Sequence, residues 1–404
     1  MTPAQAPRTA ADARDRLGAW CGWVMVGVAV LTPLFAWLGP LGFAPLMALA
    51  GLLCLPALRL SDEDRPALIV LLGALIWAAV STTWSPYQPK HPQDGQAVKL
   101  AAELPLYFSA ICGARRASPH LQRLALSVLA WGLVALGVLL AVESLTGGRI
   151  FYALHTRFYQ PIRIDLAQVK IAQTSFVLAL LWPVAVLGRV RSWRDAWLIA
   201  PIAAGTIMAG LAFKGDAPVI AVLLAALVAL LASRWPRGLP IAAAMSVAAL
   251  FLAMPLIVWS VRELADYTAI EEAVPLSWSW RMGYWSHAID WILDAPARGW
   301  GLDSSRAMGP GIQLHPHNGP LQVWLELGLI GAVAAAAFWS LCLVRLSRPS
   351  PSLPAAATLA SVAVYLLFAC LNFGVWQEWW MGLGALIIAL SGMVSARVTP
   401  RTST

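Results

Sequence analysis

His317-Asn318-Gly319-Pro320-Leu321-Gln322-Val323-Trp324-Leu325-Glu326-Leu327-Gly328-Leu329-Ile330-Gly331 marks the point where a long polar loop runs into an apolar segment that continues to Val344. A segment of that length and composition crosses a bilayer as a helix. The residues on its threshold carry chemistry. A histidine at a membrane boundary exchanges a proton near neutral pH, and the adjacent Asn318 can orient a ring nitrogen or a substrate hydroxyl. Gly328 and Gly331 follow about three to four helical turns further on, where small residues allow helices to pack closely.

Outward from this segment the apolar pattern recurs. The chain has 404 residues, 59% of them hydrophobic and 12% charged, with a mean hydropathy of +0.70. Those proportions exclude an ordinary water-soluble globule. Apolar stretches long enough to cross a bilayer, about twelve in all, fall at 20–38, 41–58, 67–84, 96–113, 121–142, 166–187, 196–213, 217–233, 239–259, 321–344, 354–372 and 377–395. The expected fold is an all-α integral membrane protein with about 12 transmembrane helices. Its expected layout is a tail over 1–19, helices over 20–259, a long loop over 260–320, helices over 321–395 and a tail over 396–404. No internal repeat, heptad run or low-complexity linker interrupts it.

Residues 1–17 are polar, hold Arg8, Arg14 and Arg16, and lack the apolar core of a cleavable signal. Cys21, Cys54, Cys112, Cys342 and Cys370 all fall in or beside apolar stretches and read as small buried hydrophobes. Arginines cluster in alternate loops: Arg59 with Arg65; Arg115, Arg116 and Arg123; Arg189, Arg191 and Arg194; Arg234 with Arg237; Arg345 with Arg348; Arg397 with Arg401. The positive-inside rule makes these loops, and both termini, cytoplasmic. The net charge of +8 is then a property of loops and calls for no nucleic acid.

Cations in the opposite loops run against that bias. Arg149, Arg157 and Arg163 lie between the fifth and sixth stretches, Lys214 lies in the short turn after the seventh, and Arg262, Arg281, Arg298 and Arg306 lie in the long loop. Singly they can be solvated or paired, as Arg262 can be with Glu263 or Asp266. As a group they suit a polyanion, because guanidinium forks match phosphate oxygens. Within the long loop, 261–275 reads as acidic and irregular or partly helical. Trp285, Ala288, Ile289 and Ile292 then fall at helical spacing, for a helix either on the membrane surface or packed on the bundle.

Other ionisable residues are read as follows. Lys99 and Glu103, spaced i, i+4 in an apolar stretch, are expected to neutralise each other. Glu326 and Glu378, near helix starts, are placed to orient an arginine or the histidine, or serve structure alone. Asp62-Glu63-Asp64 has the look of a D-x-D metal motif but lies away from the extracytoplasmic arginines, and reads as a solvated charge run. There is no phosphate-binding G-x-x-x-x-G-K-[ST], no G-x-G-x-x-G and no H-E-x-x-H, so no cofactor and no metal are expected. His317, with His315 nearby, remains as a candidate base beside cations. That pairing suits a hydroxyl attacking a carbon that carries a pyrophosphate leaving group.

The strings Ser277-Trp278-Ser279-Trp280-Arg281, Pro296-Ala297-Arg298-Gly299-Trp300-Gly301-Leu302-Asp303-Ser304-Ser305-Arg306 and His315-Pro316-His317-Asn318, with the segment 321–328, resemble the core of the bacterial O-antigen ligase and polymerase family. The resemblance implies an inner-membrane glycosyltransferase of the class C type fold, active at the periplasmic face. Its donor would be a glycan on undecaprenyl pyrophosphate. Its acceptor would be lipid A–core for a ligase of lipopolysaccharide biosynthesis, or a growing lipid-linked glycan for a polymerase. By position, His317 takes the role of the family's histidine and Arg281 that of the arginine opening its loop motif. Phe213-Lys214-Gly215-Asp216 is similar to a serine-arginine-glycine string of the family, with lysine for arginine. Lys170 and Gln173 stand where a further arginine is common, so Arg157 or Arg163 is expected to substitute.

The expected site therefore has His317 as base, Arg281, Lys214, Arg157, Arg163 and Arg306 on the pyrophosphate, and Asn318, His315 and Glu326 orienting or contacting the acceptor. Trp278, Trp280 and Trp300 can stack on a glycan ring. Ligation is the expected activity, with polymerisation as the alternative. A transporter or flippase is the rival class, but the sequence shows neither repeated halves nor broken helices.

Overall fold

The computed structural model describes residues 10–187 and 193–395, and every regular element among them is helical. In chain order these are α1 (Ala10–Leu38), α2 (Phe43–Leu53), α3 (Arg65–Ser81), α4 (Gln96–Arg116), α5 (Pro119–Thr146), α6 (Arg149–Phe158), α7 (Ile164–Val186), α8 (Ile199–Ala212), α9 (Asp216–Arg234), α10 (Gly238–Leu264), α11 (Tyr267–Ala273), α12 (Leu276–Asp294), α13 (Gly319–Val344), α14 (Leu353–Leu371) and α15 (Glu378–Ser395). Starts are marked by local chemistry. Prolines sit in the first turns of α3, α5, α13 and α14, where a missing N–H does no harm. Ser352 caps α14 by accepting the Ala355 N–H at 3.4 Å.

Among the described residues nine helices, α1, α4, α5, α7, α9, α10, α13, α14 and α15, are long and apolar enough to cross a membrane. The twelve stretches of the sequence reading all meet helices, but α2, α3 and α8 are shorter. Pro56, in the 3₁₀ turn after α2, stops that helix early. α7 lies at the centre, with Val177–Val186 buried on every side, the pattern of a helix surrounded by others.

The bundle has two distinct ends. At one, α3, α4 and α13 are tied by Asp64, whose buried carboxylate binds the guanidinium groups of Arg115 and Arg345. Burial pushes this carboxyl up, but Arg115, Ser61 and Arg345 outweigh it and hold it at about 2. The charge run 62–64 is therefore not wholly solvated: Asp62 and Glu63 are exposed, and Asp64 is a buried tie. The arginines at 59, 65, 115, 116, 123, 234, 237, 345 and 348 fall at this end. Arg8, Arg189, Arg191, Arg397 and Arg401 lie outside the described residues. The other end carries the turns at 82–95, 147–163, 213–215, 265–318 and 372–377.

The decisive feature at that end is a break in α13. Gly328 has φ 66° and ψ −161°, a conformation open essentially to glycine alone. The turn and loop over 296–301 fill the break. Trp300 and Gly301 donate their N–H groups to the carbonyls of Leu325 (2.9 Å) and Glu326 (2.7 Å), and Leu329 N–H donates to Pro296 (2.9 Å). Trp77 Nε1 donates to the freed Leu327 carbonyl at 3.0 Å. Gly328 thus opens its own helix, where the sequence reading gave it helix–helix packing. The expectation of no broken helix is likewise overturned. The groups freed here are taken by the chain itself.

Of the two readings of 261–275 the partly helical one holds, since α10 reaches Leu264 and α11 covers Tyr267–Ala273, with breaks at 265–266 and 274–275. α12 settles on the bundle. Ala288, Ile289 and Ile292 are buried against Met254 and Val258 of α10 and Leu321 and Leu325 of α13. Arg262 is paired as the local reading allowed, with Glu263 at 2.9 Å, but its second partner is Asp290 at 2.7 Å and not Asp266.

Gly328→Ala is expected to lower stability by about 1–3 kcal/mol through its backbone conformation alone, and its Cβ would also meet the Ala297 carbonyl. Gly73→Ala, on an open helix face of α3, is expected to leave the melting temperature in detergent unchanged or raised. Equal melting temperatures for the two variants would remove the break from the account.

Candidate functional site

His317 stands in the turn before α13 with φ 53°. Its Nδ1 lies 2.7 Å from the backbone carbonyl of Asn372, between α14 and α15. A carbonyl only accepts, so Nδ1 carries the proton of the neutral ring and Nε2 keeps its lone pair. The ring lies nearly parallel to Tyr284 of α12, with centroids 6.2 Å apart. Burial pushes the imidazole below its ordinary range; the Asn372 carbonyl opposes this and the charge of Arg281 adds to it. The ring is thus held in its neutral form.

His315 sets the backbone of that turn. Its Nδ1 accepts the His317 N–H at 3.1 Å, so its Nε2 carries the proton. Nε2 lies 3.4 Å from the side-chain amide of Gln377, whose oxygen accepts that proton once the amide is turned. Burial, the neighbouring His317 and Arg306 push His315 down to about 3. It is a neutral positioning group throughout the physiological range.

Arg281, on the same face of α12 as Tyr284, supplies the positive charge. One guanidinium nitrogen donates to the Ser277 carbonyl at 3.2 Å, and the group lies over the Trp278 ring at 5.3 Å. Its Nε is buried without a hydrogen-bond partner, and among the described residues no carboxylate pairs with the group. Burial lowers its pKa, a cost that a neighbouring anion would offset. Trp278 is thereby occupied by Arg281, Trp300 is packed on Trp291 through Nε1 (2.7 Å to its carbonyl), and Trp280 is exposed.

Glu326 holds the turns in register. Fully buried on the first part of α13, it accepts from Asp303 N–H (2.8 Å), Ser305 Oγ (2.7 Å), Gln322 Nε2 (3.0 Å) and Trp376 Nε1 (2.6 Å). Ser305 Oγ also lies 2.9 Å from the Leu314 carbonyl, and Gln322 Oε1 accepts the Val375 N–H at 2.9 Å. Glu326 and Gln322, one turn apart, therefore fix both the histidine turn and the segment carrying Asn372. Glu326 bonds neither an arginine nor a histidine, so its orienting role is indirect. Asn318 departs from expectation: its Oδ1 caps α13 on Leu321 N–H (3.1 Å) and its Nδ2 faces the Met254 sulfur (3.6 Å). Both ends of that side chain are engaged inside the fold, and neither bonds the imidazole.

The expected cations separate. Arg306 is near the histidines, where its charge acts on His315, but it is paired with Asp303 at 2.7 Å and lies over Tyr87. Lys214, exposed at φ 56° between α8 and α9, makes no ion pair among the described residues. Arg163 is spent on Asp165 through two bonds of 3.1 and 2.7 Å. Arg157 is exposed on α6 and makes no ion pair among the described residues. Lys99 pairs with Glu378 at 2.6 Å rather than with Glu103, and Glu103 accepts from Tyr107 Oη at 3.1 Å instead.

Sequence reasoning missed Asn372, Tyr284, Gln322 and Gln377. Asn372 acts through its main chain, which no residue type announces. Gln322, four residues before a buried glutamate, was the readable signal.

Residues 203–336 match the family model described as O-Antigen ligase. That range takes in Lys214, Arg281, His317 and the break at Gly328. These findings support an O-antigen ligase family. Among curated proteins, one named "Putative polysaccharide ligase" from Rickettsia conorii is 27% identical over 124 residues, covering 27% of this chain and 30% of that protein. Its namesake from Rickettsia prowazekii is 27% identical over 124 residues, covering 27% and 31%. Another from Rickettsia bellii is 30% identical over 79 residues, covering 20% and 19%. The alignments thus span less than a third of these ligase-named relatives. No solved structure matches.

Glu326→Gln turns an amide N–H₂ toward two of the four donors and is expected to cost about 1–3 kcal/mol. Trp376→Phe, which removes one donor and leaves the carboxylate its other three, is expected to cost less. Thermal unfolding of the purified variants checks the order; a stable Glu326→Gln protein would show that the glutamate does not organise the turns.

Proposed function

We propose that this protein is an inverting glycosyltransferase of the bacterial inner membrane, an O-antigen ligase. It moves a glycan from undecaprenyl pyrophosphate to a lipid A–core acceptor at the periplasmic face. The observation that carries this reading is His317 with Nδ1–H fixed on the Asn372 carbonyl and Nε2 unprotonated, beside the carboxylate-free Arg281. A base poised next to an unpaired cation suits the departure of a pyrophosphate anion.

The acceptor hydroxyl oxygen attacks the anomeric carbon on the face opposite the pyrophosphate. A C–O bond forms as the bond from that carbon to the pyrophosphate oxygen breaks. The electron pair leaves on undecaprenyl pyrophosphate, whose charge Arg281 meets with its planar fork. The hydroxyl proton passes to Nε2 of His317. Arg306 and Lys214 are the further cations proposed for the pyrophosphate. Arg306 is kept although it is paired with Asp303, because its charge acts on His315; Arg163, held by the exposed Asp165, and Arg157, assigned below to lipid, are left out. In this reading both termini are cytoplasmic and the 260–320 loop is periplasmic. Polymerisation uses the same donor chemistry and differs only in the acceptor.

The lipopolysaccharide of a deletion strain tests the activity. Core without polymer, together with accumulated lipid-linked polymer, is the ligase result; core bearing a single repeat means polymerase. In purified transfer assays His317→Ala is expected to lose about 10²–10⁴-fold in rate with insertion intact, and Arg281→Lys to lose much of its activity because the fork is gone. The pH profile has a defined sign. The pKa of His317 is depressed, so the neutral base persists below the ordinary imidazole value of about 6.5. Activity should hold there and fall only as pH drops through the depressed pKa. A profile that fails already above pH about 6.5, or an active His317→Ala enzyme, would reject His317 as the base.

A further inference from the structure

Between the membrane-length helices α5 and α7 lies a segment, 144–164, with three arginines and no acidic residue. Both flanking helices are long and apolar enough to cross a bilayer, so the helix between them, α6, belongs at a membrane boundary. It is anchored at its start. Gly147 and Gly148, with φ 68° and 85°, turn the chain sharply out of α5. The buried Glu143 of α5 then accepts the N–H groups of Ile150 (3.2 Å) and Phe151 (2.6 Å), closing the first turn of α6. Phe151 packs edge-on against Trp37 of α1 at 5.5 Å, and Gln168 of α7 holds the Gly147 carbonyl at 3.0 Å. The far end is closed too, by His155 Nδ1 on the Gln160 carbonyl at 2.9 Å.

The rest of α6 faces outward with an unusual mixture. Tyr152 and Leu154 are exposed, Phe158 is 80% exposed and Tyr159 75%. Among them stand Arg149 and Arg157, both exposed and neither with an ion-pair partner among the described residues, in contrast to Arg163 on Asp165. Large apolar and aromatic groups in that number are poorly served by water. Unpaired guanidinium groups beside them want an anion with a fork-shaped face. The boundary of an anionic bilayer supplies both: acyl chain for the rings and lipid phosphate for the arginines.

We propose that α6 is a lipid-binding helix, with its aromatic and leucine side chains in the headgroup–acyl boundary and Arg149 and Arg157 on the phosphates of anionic lipids. Arg157 then serves the membrane and not the donor pyrophosphate. The inference is independent of the transfer reaction, since nothing in it involves His317.

Hydrogen–deuterium exchange of the whole protein tests it in nanodiscs of phosphatidylcholine alone and of phosphatidylcholine with phosphatidylglycerol. The backbone of 149–158 is expected to exchange several-fold more slowly when phosphatidylglycerol is present. In the double variant Arg149→Gln, Arg157→Gln that lipid dependence should vanish while exchange in phosphatidylcholine stays as in the parent. Phe158→Asp should raise exchange of the segment in both lipids. Equal exchange of the parent protein in the two nanodiscs would overturn the proposal. So would slowing by a polyprenyl pyrophosphate but not by phosphatidylglycerol, which would return Arg157 to the donor. Neither outcome bears on whether His317 is the base.

Discussion

A helix that opens inside an apolar bundle leaves N–H and C=O groups with nothing to bond, at several kcal/mol for each such group. In α13 that opening occurs at Gly328, and the run 296–301 closes it by bonding to the carbonyls of Leu325 and Glu326 and to the N–H of Leu329. Neither partner is stable without the other. The break needs the loop to satisfy its main chain, and the loop needs the break to enter the bundle. Gly299 and Gly328 face each other so closely that a Cβ on either would strike backbone of the other's segment. Everything at the histidine end follows from this docking, because it brings Asp303 and Ser305 to the carboxylate of Glu326 and so fixes the turn that holds His315 and His317.

The same arrangement answers how a broken helix differs here from one in a transporter. There, unwound main chain and half-helix ends are left to meet an ion or substrate. In this chain the freed groups are met by Trp77 and by the loop, so the break anchors the turns around His317. In the proposed reaction the chemistry sits at the mouth, where the imidazole of His317 in the turn before α13 and the guanidinium of Arg281 on α12 are held apart. Keeping them apart matters: a carboxylate near Arg281 would compete with an incoming phosphate, and a charged His317 would accept no proton.

Much of this was legible in the sequence because it depends on side-chain type. Apolar stretches gave the helices, His317 and Arg281 stood out as ionisable groups at a helix threshold, and the loop strings pointed to the family. Legibility failed where geometry depends on the main chain or on distant partners. Gly328 and Gly331 have the spacing of a packing motif, and only the positive φ of Gly328 shows that it breaks the helix. Asn318 looks chemical beside a histidine, yet it is the natural cap for the helix that starts after it. Lys99 has Glu103 one turn away but reaches Glu378, far along the chain, because tertiary packing decides between two acids of equal type. The Asn372 carbonyl that sets the histidine tautomer is invisible to any reading by residue.

The central claim is that His317 presents an unprotonated Nε2. Nitrogen-15 NMR of histidine-labelled protein in detergent or nanodiscs measures it directly, and six histidines keep the spectrum simple, with His317→Asn supplying the assignment. The account predicts, at neutral pH, a His317 ring with a protonated Nδ1 and a bare Nε2. A ring protonated at Nε2, or doubly protonated at neutral pH, would contradict it.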